Sequence, residues 1–211
     1  MKTKRTFYWL ALSFAVAIAL TAGPRSVARG SRVAAGAQNT ATAREVALTV
    51  DAAQSKVNYT LDTTLHTVHG TFVLKRGTIR IEPDGKASGE IMADATSGQS
   101  GDSGRDKKMH KDVLESAKYT EVVFRPDRVD GKFPASGPVS VQIHGKFGLH
   151  GSEHELTVPV KGEITGDCWH GTATIKIPYV EWGLKSPSSF ILRADPVVEV
   201  ELELVGTVST P

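Results

Sequence analysis

A single cysteine, Cys168, occurs in the 211 residues. That excludes an internal disulfide framework and any zinc cluster built on thiolates. Acidic residues are absent before Glu45, whereas seven Lys or Arg precede it. The overall formal charge of +2 therefore hides an acidic body, with 18 basic against 23 acidic residues from Glu45 onward. A domain of that balance has no electrostatic reason to follow a phosphate backbone, so nucleic acid is not an expected partner. No G-x-S-x-G elbow, glycine-rich phosphate loop or C-x-x-C-H attachment site occurs. Acyl transfer on a nucleophile elbow, P-loop chemistry and c-type haem are set aside accordingly. With 40% hydrophobic and 23% charged residues, the chain carries enough apolar surface for one packed domain.

The amino-terminal segment has its own pattern. Lys2, Lys4 and Arg5 precede an apolar run from Phe7 to Leu20, and small residues follow at Thr21, Ala22 and Gly23. Basic start, apolar middle and small-residue end are the order of a secretory signal, so residues 1–23 are expected to direct export. A retained anchor is the alternative, although a spanning helix takes about 20 apolar residues. Residues 24–43, rich in Ala, Gly, Ser, Thr and Arg, read as a linker. The mature domain is expected at 44–208, periplasmic or secreted.

From Val46 onward the chain alternates with period two. Val198, Val200, Leu202 and Leu204 interleave with Glu199, Glu201 and Glu203, which sends the aliphatics to one face and the carboxylates to the other. Val139, Val141, Ile143, Gly145, Phe147 and Leu149 form a second such set. Trp169, Ala173, Ile175 and Ile177 form a third, and Val57, Tyr59 and Leu61 a fourth. Turn residues punctuate the chain at Pro83-Asp84-Gly85, Val129-Asp130-Gly131 and Gly166-Asp167. Eight to ten one-sided strands predict an all-β protein, an extended antiparallel barrel or a sandwich. One helix is expected at 104–115, with Met109 and Val113 on one face and Asp102 or Ser103 as its N-cap, after a flexible Ser97–Gly101. The stretch from Val139 to Leu149 would span ~36 Å, longer than a usual strand. A barrel of that length holds either a solid core or a tube for an elongated apolar ligand, and periodicity does not choose between them.

In their order and spacing, four groups of residues resemble the YceI-like family of lipocalin-like, exported, polyisoprenoid-binding proteins. They are Val50-Asp51 with His66–Phe72; Ser103–Asp106 through Leu114 to Phe124; Gly145–Gly151 with Leu156–Val160; and Ile175–Ile177 with Trp182-Gly183-Leu184 and Asp195–Val200. The resemblance covers roughly residues 46–205. It implies an extended antiparallel barrel whose apolar tube holds a long isoprenoid or similar chain, a binder or carrier without a cofactor. The lumen is expected to be lined by Val57, Tyr59, Phe72, Phe124, Val141, Ile143, Phe147, Ile175, Trp182, Val198, Val200 and Leu202. Arg105 and Asp106, at the helix start, are the candidates for a head group, with helix capping as their structural alternative. The ligand expected is an apolar lipid; transient membrane contact and a homodimer stay open as further partners.

Two other functions compete. A barrel with a filled lumen would serve as a structural or interaction module. A metal site would draw on the seven histidines, but His66 and His69 fall on opposite faces of a strand. His144 and His150 share a face ~20 Å apart. Only His150 and His154 are placed to meet across a turn, with no third ligand, so no metal is expected. Cys168, beside Trp169, is expected as a buried, inert thiol. Catalytic residues are not expected.

Overall fold

The computed structural model describes residues 44–210. The expectations for residues 1–23 and 24–43 lie outside the described residues. The elements are β1 (Val46–Val50), β2 (Lys56–Asp62), β3 (Thr67–Ile81), β4 (Ala87–Gln99), α1 (Ser103–Lys108), β5 (Glu121–Asp130), β6 (Gly137–Leu149), β7 (Ser152–Thr165), β8 (Cys168–Ile177) and β9 (Val198–Ser209). A π-helical turn, Met109–Val113, follows α1 directly.

All strand pairings are antiparallel, in the order β1-β3-β2-β9-β8-β7-β6-β5-β4, and β3–β4 pairing closes the sheet on itself. Nine strands fill eight positions, because β1 and β2 share one. Val50 opposes Gly206 on β9 and Val57 opposes Leu202 farther along the same strand. Between them the chain turns at Asp51, whose carboxylate accepts from the Ala53 N–H at 2.9 Å. The antiparallel barrel expected from alternation is thus the observed fold, and β9 runs one residue past the expected end at 208. All nine strands find partners among one another between Val46 and Ser209. A chain beginning at Arg44 therefore contains the whole hydrogen-bonded barrel.

Inward and outward residues follow the period. On β8 the pattern is strict: Trp169, Gly171, Ala173, Ile175 and Ile177 are buried and the residues between them exposed. On β3 the inward set changes from even to odd numbers at a register shift between Leu74 and Arg76. Such a bulge bends the strand and splits the inward set of this 15-residue strand in two. The β6–β7 hairpin turns on His150 and Gly151, both at positive φ (51° and 79°). That is the backbone of a two-residue type I′ turn, and it sets the register of the whole hairpin.

Three local expectations are corrected. The helix is six α-helical residues, Ser103–Lys108, widened into a π turn; Asp102 is its N-cap and accepts from the Arg105 N–H at 2.8 Å. Ser97–Gln99, read as a flexible approach to the helix, belongs to β4. Cys168 is exposed, because the inward turn of Trp169 sends its neighbour outward.

One end of the barrel is packed solid. The Trp169 indole lies over Gly171 and beside Gly206, where a Cβ would come within 2.7 Å of the ring in either case. Leu48, Ile79, Val139, Ile143, Ile164 and Leu204 surround it, leaving a void of about 50 Å³. Gly206→Ala would place its Cβ 1.9 Å from the Thr49 carbonyl oxygen and 2.7 Å from Trp169 Nε1. It is expected to destabilise the fold by about 1–3 kcal/mol in chemical denaturation. Gly148→Ala, which meets only the Val123 carbonyl at 3.5 Å, should stay within about 0.5 kcal/mol. Equal effects would contradict this packing.

Candidate functional site

The opposite end is hollow. A cavity of about 560 Å³ occupies the half of the lumen nearest α1 and the long connection between β8 and β9. Every strand position contributes apolar residues to its wall: Val57, Tyr59 and Leu61 from β2, Val68, Phe72 and Leu74 from β3, and Ile91 and Ala93 from β4. Val122 and Phe124 come from β5, Phe147 and Leu149 from β6, Leu156 and Val158 from β7, Ile175 and Ile177 from β8, and Val198, Val200 and Leu202 from β9. No strand residue carrying a formal charge is among them. The lumen is therefore neither wholly filled nor an open tube: Trp169 stops one half and side chains line the other.

Irregular segments close the hollow end. Met109, Val113 and Leu114 cover it from the π turn and the residue after it. His110 holds that turn in place, with Nε2 donating to the Gly98 carbonyl at 2.9 Å and Nδ1 paired with Ser116 Oγ at 2.9 Å. From the β8–β9 connection come Tyr179, Leu184, Pro187, Ser189 and Leu192. Tyr179 latches the two ends of this connection by donating its hydroxyl to the Asp195 carbonyl at 2.8 Å. Lys108 ties α1 to it, donating from Nζ to the Pro187 carbonyl at 2.7 Å. Gly104, Lys108 and Ser189 line the cavity yet are exposed, so it meets solvent between the helix and this connection.

Apart from the Tyr59 and Tyr179 hydroxyls, polar groups are few and sit at that mouth: Thr63, His66, Arg105, Lys108 and Ser189. Arg105 is held rigidly, donating from Nε to Ser100 Oγ at 2.8 Å and from Nη2 to the Ser100 carbonyl at 2.9 Å. Asp106 accepts from the Ser100 N–H at 2.8 Å and from its hydroxyl. Ser100 thus takes up the carboxylate of Asp106, and only Arg105 of the expected pair reaches the cavity wall.

Of the twelve expected lumen residues, nine line the cavity: Val57, Tyr59, Phe72, Phe124, Phe147, Ile175, Val198, Val200 and Leu202. Val141 and Ile143 are not among them; they point inward but lie deeper, in the packed half, at 3% and 5% exposure. Alternation tells inside from outside and is silent on depth. Trp182 is also outside the wall, for a different reason. The chain leaves β8 at Ile177, and Trp182 stacks on the rim against His154, with ring centroids 4.1 Å apart, and against Phe147 at 5.8 Å. His150, expected to share a strand face with His144, instead occupies the hairpin turn with its ring 4.3 Å from Tyr119. His144 pairs with Asp130 and Thr157, both at 2.9 Å. Among the described residues, no three His, Cys, Asp or Glu side chains gather as metal ligands would. Leu61, Leu149 and Ile177 carried the same alternation as their chosen neighbours. Tyr179, Leu184 and Leu192 carried no periodic signal, because their segment is irregular.

The YceI-like domain family matches the chain over residues 48–206. Among solved structures, BcnA of Burkholderia cenocepacia is similar at 20% identity and a TM-score of 0.60, over 76% of this chain and 99% of that one. A polyisoprenoid-binding domain from Saccharophagus degradans, implicated in plant cell wall breakdown, is similar at 17% identity and a TM-score of 0.58, over 78% and 98%. Both likenesses are likenesses of fold. No curated protein sequence matches the chain.

Burial holds the phenols of Tyr59 and Tyr179 above the ordinary tyrosine value, and the Asp106 carboxylate adds to the shift of Tyr59. Both are therefore neutral in the folded wall, where they contribute stability below pH ~10 that is lost as pH rises through their raised values. In a titration followed at 295 nm, Tyr59→Phe and Tyr179→Phe should each remove one late-ionising phenol. Loss of an ordinary, early one would contradict the burial described.

Proposed function

The chain belongs to the YceI-like family, and on that premise we propose that it binds and carries one long apolar lipid chain, an isoprenoid or a similar acyl chain, in the hollow half of its barrel. The observation that carries this reading is the lining itself: aliphatic and aromatic side chains from all eight strand positions, with charged groups only at the mouth. Each methylene buried in such a wall contributes about 0.8 kcal/mol, so a long tail is retained without a strong polar anchor. A strand wall without a charged side chain supports binding rather than a reaction. The likeness to a polyisoprenoid-binding domain supports the same class of ligand. Arg105, fixed by Ser100 at the mouth, is positioned to meet a polar or anionic head. The order of residues 1–23 supports work outside the cytoplasm, in the periplasm or secreted, which amino-terminal sequencing of the fractionated protein would test.

Extraction of the purified protein with organic solvent, followed by mass spectrometry, should release an isoprenoid or acyl lipid. Val200→Trp sets an indole into the cavity from β9, and Ala93→Phe sets a ring there from β4. Either variant, with melting close to that of the parent, should lose most uptake of a fluorescent lipid. Repeated absence of any lipid, or full uptake by both folded variants, would overturn the proposal. The first outcome would favour the ligand-free interaction module instead.

A further inference from the structure

Five large apolar side chains are exposed among the described residues, and four of them stand on connections at the hollow end: Leu65, Val180, Phe190 and Ile191. Phe190 is 104% exposed, Ile191 78% and Leu65 65%. Single apolar residues scattered over a surface need no explanation; a group gathered around one opening does. Phe190 and Ile191 form the corner of a tight turn, with the Ser189 N–H donating to the Leu192 carbonyl at 2.7 Å and the Leu192 N–H to Ser189 Oγ at 3.2 Å. Ser189 and Leu192 face the cavity and the two corner residues face away from it. Turn corners usually carry Gly, Asn, Asp or Pro, and nothing in the fold requires Phe-Ile here. Leu65 is joined to the same unit, because the Thr64 N–H donates to the Arg193 carbonyl at 2.9 Å and the Arg193 N–H to Thr64 Oγ1 at 3.2 Å.

The charge around the mouth is opposite to that of the domain. Segments 63–66, 105–111 and 184–194 hold Arg105, Lys107, Lys108, Lys111, Lys185 and Arg193 against a single acid, Asp106. The domain as a whole has 18 basic and 23 acidic residues. Asp62, Asp102 and Asp195, held by Thr67 Oγ1 and by the N–H groups of Arg105 and Val197, flank these segments and keep their charge, as do Asp112 and Glu181, so the cationic excess is that of the three rim segments themselves. Apolar side chains projecting from a cationic rim are the signature of a surface that inserts at an anionic lipid interface.

We propose that this end of the barrel docks on an anionic lipid surface through Leu65, Phe190 and Ile191, so that the lipid chain passes between bilayer and cavity without crossing water. This rests on the reading of the cavity as a lipid site. The two are tested separately with a chain beginning at Arg44. In flotation with phosphatidylglycerol–phosphatidylethanolamine vesicles, the parent should bind, and should bind at least tenfold less to phosphatidylcholine vesicles or in 0.5 M salt. Phe190→Ser/Ile191→Ser should lose at least tenfold in vesicle affinity with unchanged melting. It should still take up a fluorescent fatty acid from free solution, since neither side chain lines the cavity. Leu65→Ser and Lys185→Glu should each reduce vesicle binding in the same direction. No vesicle binding by the parent, equal binding by the double variant, or a homodimer that the double variant abolishes in place of vesicle binding, would overturn the docking. Vesicle binding without uptake of the fatty acid would leave docking standing and sink the reading of the cavity.

Discussion

A closed barrel of eight strand positions has an interior that ordinary side chains just fill. The contact of Trp169 with Gly171 and Gly206 decides where that filling occurs. The two glycines clear a space the size of an indole, and the indole occupies it. With Leu48, Ile79, Ile164 and Leu204 around it, one half of the lumen becomes an ordinary core that holds the sheet closed. The other half is thereby released from carrying the fold alone. Its inward residues are aliphatic and aromatic as well, but about 560 Å³ is left between them.

The hollow end is covered without being filled. The π turn and the β8–β9 connection lay Met109, Leu184 and Leu192 over the opening. Hydrogen bonds at their edges hold them there: His110 to Gly98, Lys108 to Pro187, Tyr179 to Asp195. Arg105 is fixed at the same place by Ser100, while Asp106 is turned aside by it. A chamber that is apolar inside and cationic at the rim is suited to a molecule with a long tail and a small polar or anionic head. The connection that lines the chamber with Ser189 and Leu192 carries Phe190 and Ile191 on its outer side, so the wall and the outer surface of the mouth are two faces of one turn.

The fold was largely legible because alternation is a local property. Wherever one face is charged, as at Glu199, Glu201 and Glu203, the strand and its orientation follow from the residues alone. Depth along the barrel axis was not legible: Val141, Ile143 and Phe147 share one strand face, and only the last meets the cavity. That difference depends on Trp169, which comes from a neighbouring part of the sheet and leaves no mark in the sequence of β6. Trp182 was misplaced because it lies beyond the strand, where period two no longer applies. The contribution of 178–197 to the chamber was invisible for the same reason. The exposure of Cys168, by contrast, was readable from its neighbour Trp169, since two successive strand residues cannot both point inward.

The half-filled lumen has a consequence in the dependence of affinity on ligand length. Titrating the protein with a series of lipids that share a head group and differ by methylenes measures it directly. Affinity should rise about fourfold per methylene, the equivalent of about 0.8 kcal/mol, and level off once the tail reaches the packed half, where Ile91, Phe124 and Val158 lie between the cavity and Trp169. Replacing Trp169 by a smaller apolar residue, in a variant that still folds, should move that plateau to longer chains. Affinity independent of chain length, or a plateau that stays in place when Trp169 is shortened, would contradict a chamber bounded by the half that packs around that side chain.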